Sequence, residues 1–218
     1  MSKLKKQAWP TKDAMDQVYK LKLWGSNSSE FYSGDGSHLT EIVVPYIEKV
    51  ASFLKSFEKP LIVCDLGCGD FNIGKELIPY TEKYFAVDIV EDLIKFNKEK
   101  FKADNLEFQC LNIAEDELPK GDCAIIRQVF QHLSNNEIQT IVNKLSNFKY
   151  ILITEHLPID DFVPNKDIIS GQGIRIKKQS GVNLTAPPFN LKVKEEKEIL
   201  SFELKNGKGS ILTKLYLL

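Results

Sequence analysis

The sequence predicts a doubly wound α/β domain on a mostly parallel sheet, closed by an antiparallel C-terminal hairpin. Three observations predict it. From about residue 40 to 155 the apolar spacing alternates between two and 3.6 residues, the pattern of repeated strand–helix units. The first apolar run leads into a glycine-bearing turn, Cys64-Asp65-Leu66-Gly67-Cys68-Gly69-Asp70. Near the end, Asn206-Gly207 separates two apolar segments, a strong hairpin signal.

The elements follow in order. Ile42, Val43, Tyr46, Ile47, Val50, Phe53, Leu54 and Phe57 have helical spacing, with Pro45 expected to kink that helix or mark its true start. Leu61-Ile62-Val63-Cys64 reads as a buried strand, the glycine turn follows, and a helix is expected after it. Tyr84–Val87 is a second strand. Glu91–Phe101 is a helix with acidic residues in its first turn and lysines near its end, which suits the helix dipole. Leu106–Cys110 and Ala124–Ile126 are further strands. Ser134 and Glu137 form a capping box for a helix whose buried face is Ile138, Ile141, Val142 and Leu145, and Tyr150–Thr154 is the next strand. After Glu155 a polar, Gly- and Pro-bearing stretch runs to Phe189, too long for a plain connection. Ile199–Leu204 and Ser210–Leu217 form the hairpin.

The 218 residues are expected to form one domain: an N-terminal helical cover (1–58), a core (59–156), an insert (157–190) and the hairpin (191–218). With 43% hydrophobic and 27% charged residues, the chain is neither disordered nor low in complexity. The formal net charge of −1 offers no bulk positive field for nucleic acid, which favours a small-molecule partner. Cys64, Cys68, Cys110 and Cys123 lack CxxC spacing and read as reduced core thiols. The basic start, Met1–Lys6, precedes no apolar signal region, and no uncharged apolar run reaches the ~18 residues of a membrane span. A cytoplasmic protein without a membrane or nucleic-acid partner is expected. His38, His132 and His156 lack metal-ligand spacing, so no catalytic metal is expected.

The glycine turn carries the first chemical signal. Two glycines at a strand end let the backbone approach a ligand closely, which implies a nucleotide-type group. A dinucleotide fingerprint wants GxGxxG, but here the third glycine is displaced to Gly74, which weakens a nicotinamide reading. Nineteen residues beyond Gly69, Asp88 ends the second strand, where a carboxylate can accept both ribose hydroxyls.

Through DLGCG at 65–69 and VDIVEDLIKFN at 87–97, the chain resembles the class I S-adenosylmethionine-dependent methyltransferases. The resemblance implies a Rossmann-like sheet of seven strands, the last antiparallel, with S-adenosylmethionine as methyl donor and S-adenosylhomocysteine as product. It implies that Asp65, Gly67, Cys68, Gly69, Asp88 and Ile89 hold the donor, that Asn112 faces the adenine, and that Ile113 offers it a backbone N–H. A narrower resemblance, to a largely uncharacterised bacterial subgroup, rests on Trp24-Gly25, Ser33–Ser37, Cys68–Asn72, Gln131–Ser134, Asn165–Ile168, Ser170-Gly171 and Pro188-Phe189.

Further candidates sit at the ends of later strands, the ligand edge of an open α/β sheet. Arg127 and Gln128 should face the donor, with Trp24 and Ser37 folding over its methionine part. His132, Glu155 and Asp167 are the candidate bases. His156, Arg175 and Lys177 are candidate substrate contacts, and the cationic pair suggests an acceptor bearing a carboxylate or phosphate. The expected reaction is methyl transfer to an O or N atom of a small, anionic metabolite or glycan precursor. Two alternatives stand beside it, a non-catalytic methyltransferase-like binding subunit and a nicotinamide-dependent oxidoreductase.

Overall fold

The structure, a computed structural model, describes residues 9–207 and 209–218. The basic segment Met1–Lys6 lies outside the described residues. Seven strands form one sheet: β1 (Leu61–Leu66), β2 (Thr81–Asp88), β3 (Leu106–Cys110), β4 (Cys123–Arg127), β5 (Tyr150–Leu157), β6 (Glu195–Glu203) and β7 (Ser210–Leu217). Their order is β3-β2-β1-β4-β5-β7-β6. β1 to β5 pair in parallel, whereas β7 runs antiparallel between β5 and β6. This is the sheet that the sequence predicts.

The central strands alternate their side chains between two cores, because successive Cβ atoms point to opposite faces. Cys123 and Ile125 of β4 and Leu152 of β5 face a core shared with α2 (Thr40–Lys55) and Ile94 of α3 (Glu91–Lys100). Ala124, Ile126, Ile151 and Ile153 face a second core completed by α4 (Asn135–Leu145) and by Val182, Leu184 and Phe189. Helices therefore cover both faces, as a doubly wound sheet requires. α2 starts at Thr40 with Pro45 inside it, and its Tyr46, Val50, Ala51 and Leu54 are sheet-facing core. What covers the sheet edge is the chain before it: α1 (Thr11–Lys20) and the segment to Ser37.

Local chemistry explains several boundaries. Ser134 caps α4, its hydroxyl accepting from the Glu137 N–H while the Glu137 carboxylate accepts from the Ser134 N–H. The helix expected after the glycine turn is absent. Residues 67–80 contain only two 3-10 turns, Gly74–Glu76 and Ile78–Tyr80. Phe71, in a left-handed conformation at φ 61°, is driven into the core against Tyr84, Phe101 and Phe108, and Pro79 cannot continue a helix. The hairpin connection is longer than a two-residue turn: Lys205–Gly207 form a 3-10 turn, and the Leu204 N–H reaches the Gly209 carbonyl at 2.9 Å. All four cysteines are unpaired. Cys64 and Cys123 are buried, but Cys110 is exposed because β3 is an edge strand.

The insert between β5 and β6 is an ordered, internally bonded segment. Asn165, itself buried and left-handed, ties it together: its Nδ2 donates to the carbonyls of Asn183 and Pro187 at 2.8 Å, and its Oδ1 accepts from the Asn183 N–H at 2.8 Å. No helix among the described residues is long and apolar enough to cross a membrane.

Candidate active site

A cavity of about 440 Å³ opens at the carboxyl ends of the parallel strands. The glycine turn forms its floor. Gly67 (φ 94°) and Gly69 (φ 56°) occupy conformations that side chains rarely adopt. A Cβ on Gly67 would stand 2.3 Å from Val129 Cγ2, and one on Gly69 would stand 2.5 Å from Ser33 Oγ. The N–H groups of Gly67 and Cys68 both donate to the Val87 carbonyl, at 2.8 and 2.9 Å, which stitches the turn to β2.

Asp88 ends β2 beside that turn. Its two oxygens accept from the N–H groups of Gly69 at 3.0 Å and Val90 at 3.1 Å, and Asn97 of α3 donates to the Gly69 carbonyl at 2.8 Å. Burial pushes the Asp88 carboxyl upward, against the pull of these backbone bonds. A carboxylate has about four lone-pair sites, so some acceptor capacity remains for a ligand. Asp65, at the end of β1, accepts from the Tyr84 hydroxyl at 3.0 Å; burial pushes it up to about 7 in spite of that bond.

The N-terminal segment closes over this floor. Asp70 Oδ2 accepts from the Ser33 N–H at 2.8 Å and from His38 Nε2 at 2.6 Å, while Ser33 Oγ accepts from the Asp70 N–H at 2.8 Å. Asn72 donates to the Ser37 carbonyl at 2.8 Å. From β4, Arg127 donates to the Gly36 carbonyl at 2.6 Å and to Ser37 Oγ at 3.3 Å, with its guanidinium 4.9 Å from the Tyr46 ring. Among the described residues its hydrogen-bond acceptors are all neutral. Burial lowers its pKa.

The opposite end of the cavity is built by Trp24, His132, Glu137 and the insert residues Gln172, Ile174 and Lys177. The rings of Trp24 and His132 lie 5.0 Å apart. Burial pushes His132 down to about 4, so its imidazole is neutral near pH 7. Burial pushes Glu137 up, but hydrogen bonds from Ser134, Ser170 and Thr11 outweigh it and hold the carboxyl below its usual range.

Trp24, Ser37, Asp65, Gly67, Cys68, Gly69, Asp88, Ile89, Asn112, Ile113, Arg127 and Gln128 all line the cavity, and so do His132 and Lys177. Glu155, Asp167, His156 and Arg175 do not. Glu155 is buried behind the wall, accepting from the Phe130 N–H at 3.0 Å. Asp167 accepts from the Asn135 N–H at 2.8 Å, at the start of α4. His156 lies in β5 opposite Ile211 of β7. Arg175 is 1% exposed, and its guanidinium is committed to the carbonyls of Phe130 and Leu133 and to Asn135 Oδ1. The expected substrate-gripping arginine is thus a brace of the wall. Glu137 and Asp70 were missed as wall residues. The capping box had already accounted for Glu137, and only its neighbours in space, Thr11 and Ser170, show its second use.

Residues 64–148 match the family model described as a methyltransferase domain. Over that stretch the chain is similar to a methyltransferase domain. A curated relative, malonyl-[acyl-carrier protein] O-methyltransferase of Acetivibrio thermocellus, is 35% identical over 88 residues, covering 39% of this chain and 30% of that protein. The chain therefore matches less than a third of that relative's length. Among solved structures, the N-methyltransferase NodS of Bradyrhizobium japonicum, in complex with S-adenosylhomocysteine, superposes with a TM-score of 0.62 at 9% identity, over 94% of this chain and 98% of that one. Magnesium protoporphyrin IX methyltransferase of Synechocystis with bound S-adenosylmethionine gives 0.58 at 14% identity, over 98% and 100%. At such identities the likeness is one of fold.

The residues of this cavity fit the donor. The spare acceptor capacity of Asp88 suits a nucleoside, and Asn112 and Ile113 line the same wall, while the space a Cβ would take at Gly67 and Gly69 is filled by Val129 and Ser33. Among the described residues no group of three or more His, Cys, Asp or Glu side chains is arranged to hold a metal ion.

Proposed function

We propose that this chain transfers a methyl group from S-adenosylmethionine to an oxygen or nitrogen atom of a small molecule. The observation that carries the reading is the joining of the Gly67–Gly69 turn, Asp88 and the Asn112–Ile113 segment in one cavity with the neutral imidazole of His132. When bound, the donor supplies an electrophilic methyl on a sulfonium. The chain supplies alignment and exclusion of water, which are the main demands of an in-line displacement.

In this reading Asp88 accepts the ribose hydroxyls, Asn112 and Ile113 meet the adenine, and Asp65 and Arg127 stand near the methionine end with Trp24, Ser37 and Gln128. His132 is the candidate proton acceptor on the acceptor side, since its neutral form is available at working pH. Lys177 is the insert cation on the cavity wall, and it supports an acceptor with an anionic group. The four unpaired cysteines suit a reducing compartment, which supports a cytoplasmic location.

Calorimetric titration with S-adenosylmethionine, S-adenosylhomocysteine and NAD tests the donor, and an acceptor screen reading out S-adenosylhomocysteine tests transfer. Competitive binding of the two sulfur ligands and product formation above the acceptor-free background are expected. Preference for NAD would overturn the reading. Tight donor binding with turnover only after a partner protein is added would favour the binding-subunit alternative.

A further inference from the structure

Arg175 and Glu155 stand on either side of the turn that brings Gln131 and His132 into the cavity wall. Both are buried, and neither lines the cavity. Glu155, near the end of β5, accepts the Phe130 N–H at 3.0 Å, where the turn begins. Arg175, from the insert, donates to the Phe130 carbonyl at 2.6 Å and to the Leu133 carbonyl at 2.7 Å, so its two arms span the turn. A third bond, to Asn135 Oδ1 at 2.7 Å, fixes the guanidinium to the start of α4. Charge-assisted bonds of this kind are roughly twice as strong as neutral ones.

The turn held between them has little freedom left. The His132 N–H goes to the Val129 carbonyl at 3.0 Å and the Leu133 N–H to the Phe130 carbonyl at 3.1 Å. The imidazole Nδ1 of His132 lies 3.2 Å from the Gly171 carbonyl. A carbonyl can only accept, so Nδ1 carries the proton. Nε2, 3.2 Å from Gln131 Nε2, is left with its lone pair as an acceptor. A small rotation or shift of the turn would remove the Gly171 contact and release the other tautomer.

We propose that Arg175 and Glu155 are positioning residues that act through the Phe130–Leu133 turn to hold His132 in its Nδ1–H tautomer, with Nε2 as the acceptor atom. What His132 then does for the reaction rests on the methyl-transfer reading. The tautomer does not.

The test is the ¹⁵N spectrum of the imidazoles at neutral pH, in which a protonated and a bare ring nitrogen are well separated. The chain has three histidines, so His132→Gln assigns the signal directly. The wild type should show a protonated Nδ1 and a bare Nε2. Arg175→Lys keeps the charge but loses the planar two-armed fork, and should move the proton toward Nε2 or average the two nitrogens. Arg175→Gln and Glu155→Leu should do the same. A wild type protonated on Nε2 would overturn the proposal. So would an Arg175→Lys spectrum unchanged from wild type, because an effect seen with Arg175→Gln alone would be one of charge. A Glu155→Leu spectrum unchanged from wild type would overturn the role of Glu155. Should Arg175→Gln fail to fold, Arg175→Lys decides. S-adenosylhomocysteine binding measured on the same samples separates the two readings: its loss in the wild type would sink methyl transfer and leave the tautomer result standing.

Discussion

His132 and Gly171 hold each other by two hydrogen bonds. The Gly171 N–H donates to the His132 carbonyl at 3.0 Å, and His132 Nδ1 donates to the Gly171 carbonyl at 3.2 Å. The insert is thereby docked on the turn after β4 through the residue proposed as proton acceptor. Chain and chemistry share one contact.

His132→Ala should therefore affect the two ends of the cavity differently. Donor affinity, which the methyl-transfer reading rests on Asp88 and the glycine turn, should change by less than about threefold, no more than the loss of one weak hydrogen bond. The insert should open more often, so amide hydrogen exchange from Ser170 to Lys177 should speed up. Equal protection of that segment in both proteins would mean that the backbone bond from Gly171 suffices.

Asp88 is the proposed ribose partner. Asp88→Ala should weaken S-adenosylhomocysteine binding by about 1.5–3 kcal/mol, roughly 10–150-fold, through the loss of charged-group hydrogen bonds and of the anchor for the Gly69 N–H. Asp88→Asn retains one acceptor oxygen and should lose less. Calorimetry on the two variants checks the order, and undiminished binding by Asp88→Ala would remove Asp88 from the ribose role.

The half of the cavity around the glycine turn was legible because its signals are local. Glycines at a strand end and a carboxylate nineteen residues later mark two adjacent parallel strands, and the sheet itself follows from strands whose alternate residues enter two different cores. The half built by the insert was not legible in the same way. Arg175 reads as a solvated or ligand-gripping charge, yet its partners are backbone carbonyls some forty residues earlier, which no sequence pattern announces. The missing helix after the glycine turn has the same origin. Tertiary contacts of Phe71 with Tyr84, Phe101 and Phe108 outweigh whatever helical preference the segment has.

One carboxylate gathers three of the contacts that hold the N-terminal cover. Asp70 Oδ2 receives both the Ser33 N–H and His38 Nε2, and its own N–H completes the contact through Ser33 Oγ. Asp70→Ala should free the segment from Trp24 to Ser37, raising its hydrogen exchange and lowering S-adenosylhomocysteine affinity, while the sheet retains its protection. His38→Gln removes one of the three contacts and should act in the same direction more weakly. Slow exchange persisting in both variants would show that Arg127 and Asn72, through Gly36 and Ser37, hold the cover without Asp70.

Glu155 gives a prediction whose sign can be worked out. Burial raises its folded-state pKa from the ordinary 4.5 to about 8, with the nearby Arg175 charge and the Phe130 N–H pulling the other way. Between those values the folded chain holds a proton that the unfolded chain has released, so this group's contribution to stability is full below 4.5 and is lost as pH rises toward 8. His132 acts in the opposite sense, because burial lowers it from 6.5 to about 4; its contribution is complete above 6.5 and lost as pH falls toward 4. From pH 6.5 to 8 the Glu155 effect is therefore not masked by His132, although Asp65, raised to about 7 by burial, adds to it in the lower part. Glu155→Gln, which cannot ionise, should flatten the wild-type decline over this window by about 1–2 kcal/mol, since each pH unit with one proton of difference is worth about 1.4 kcal/mol. Chemical denaturation of both proteins at pH 6.5 and 8 measures it. Parallel declines in the two proteins would show that Glu155 is already ionised at pH 6.5, held so by the nearby Arg175 charge.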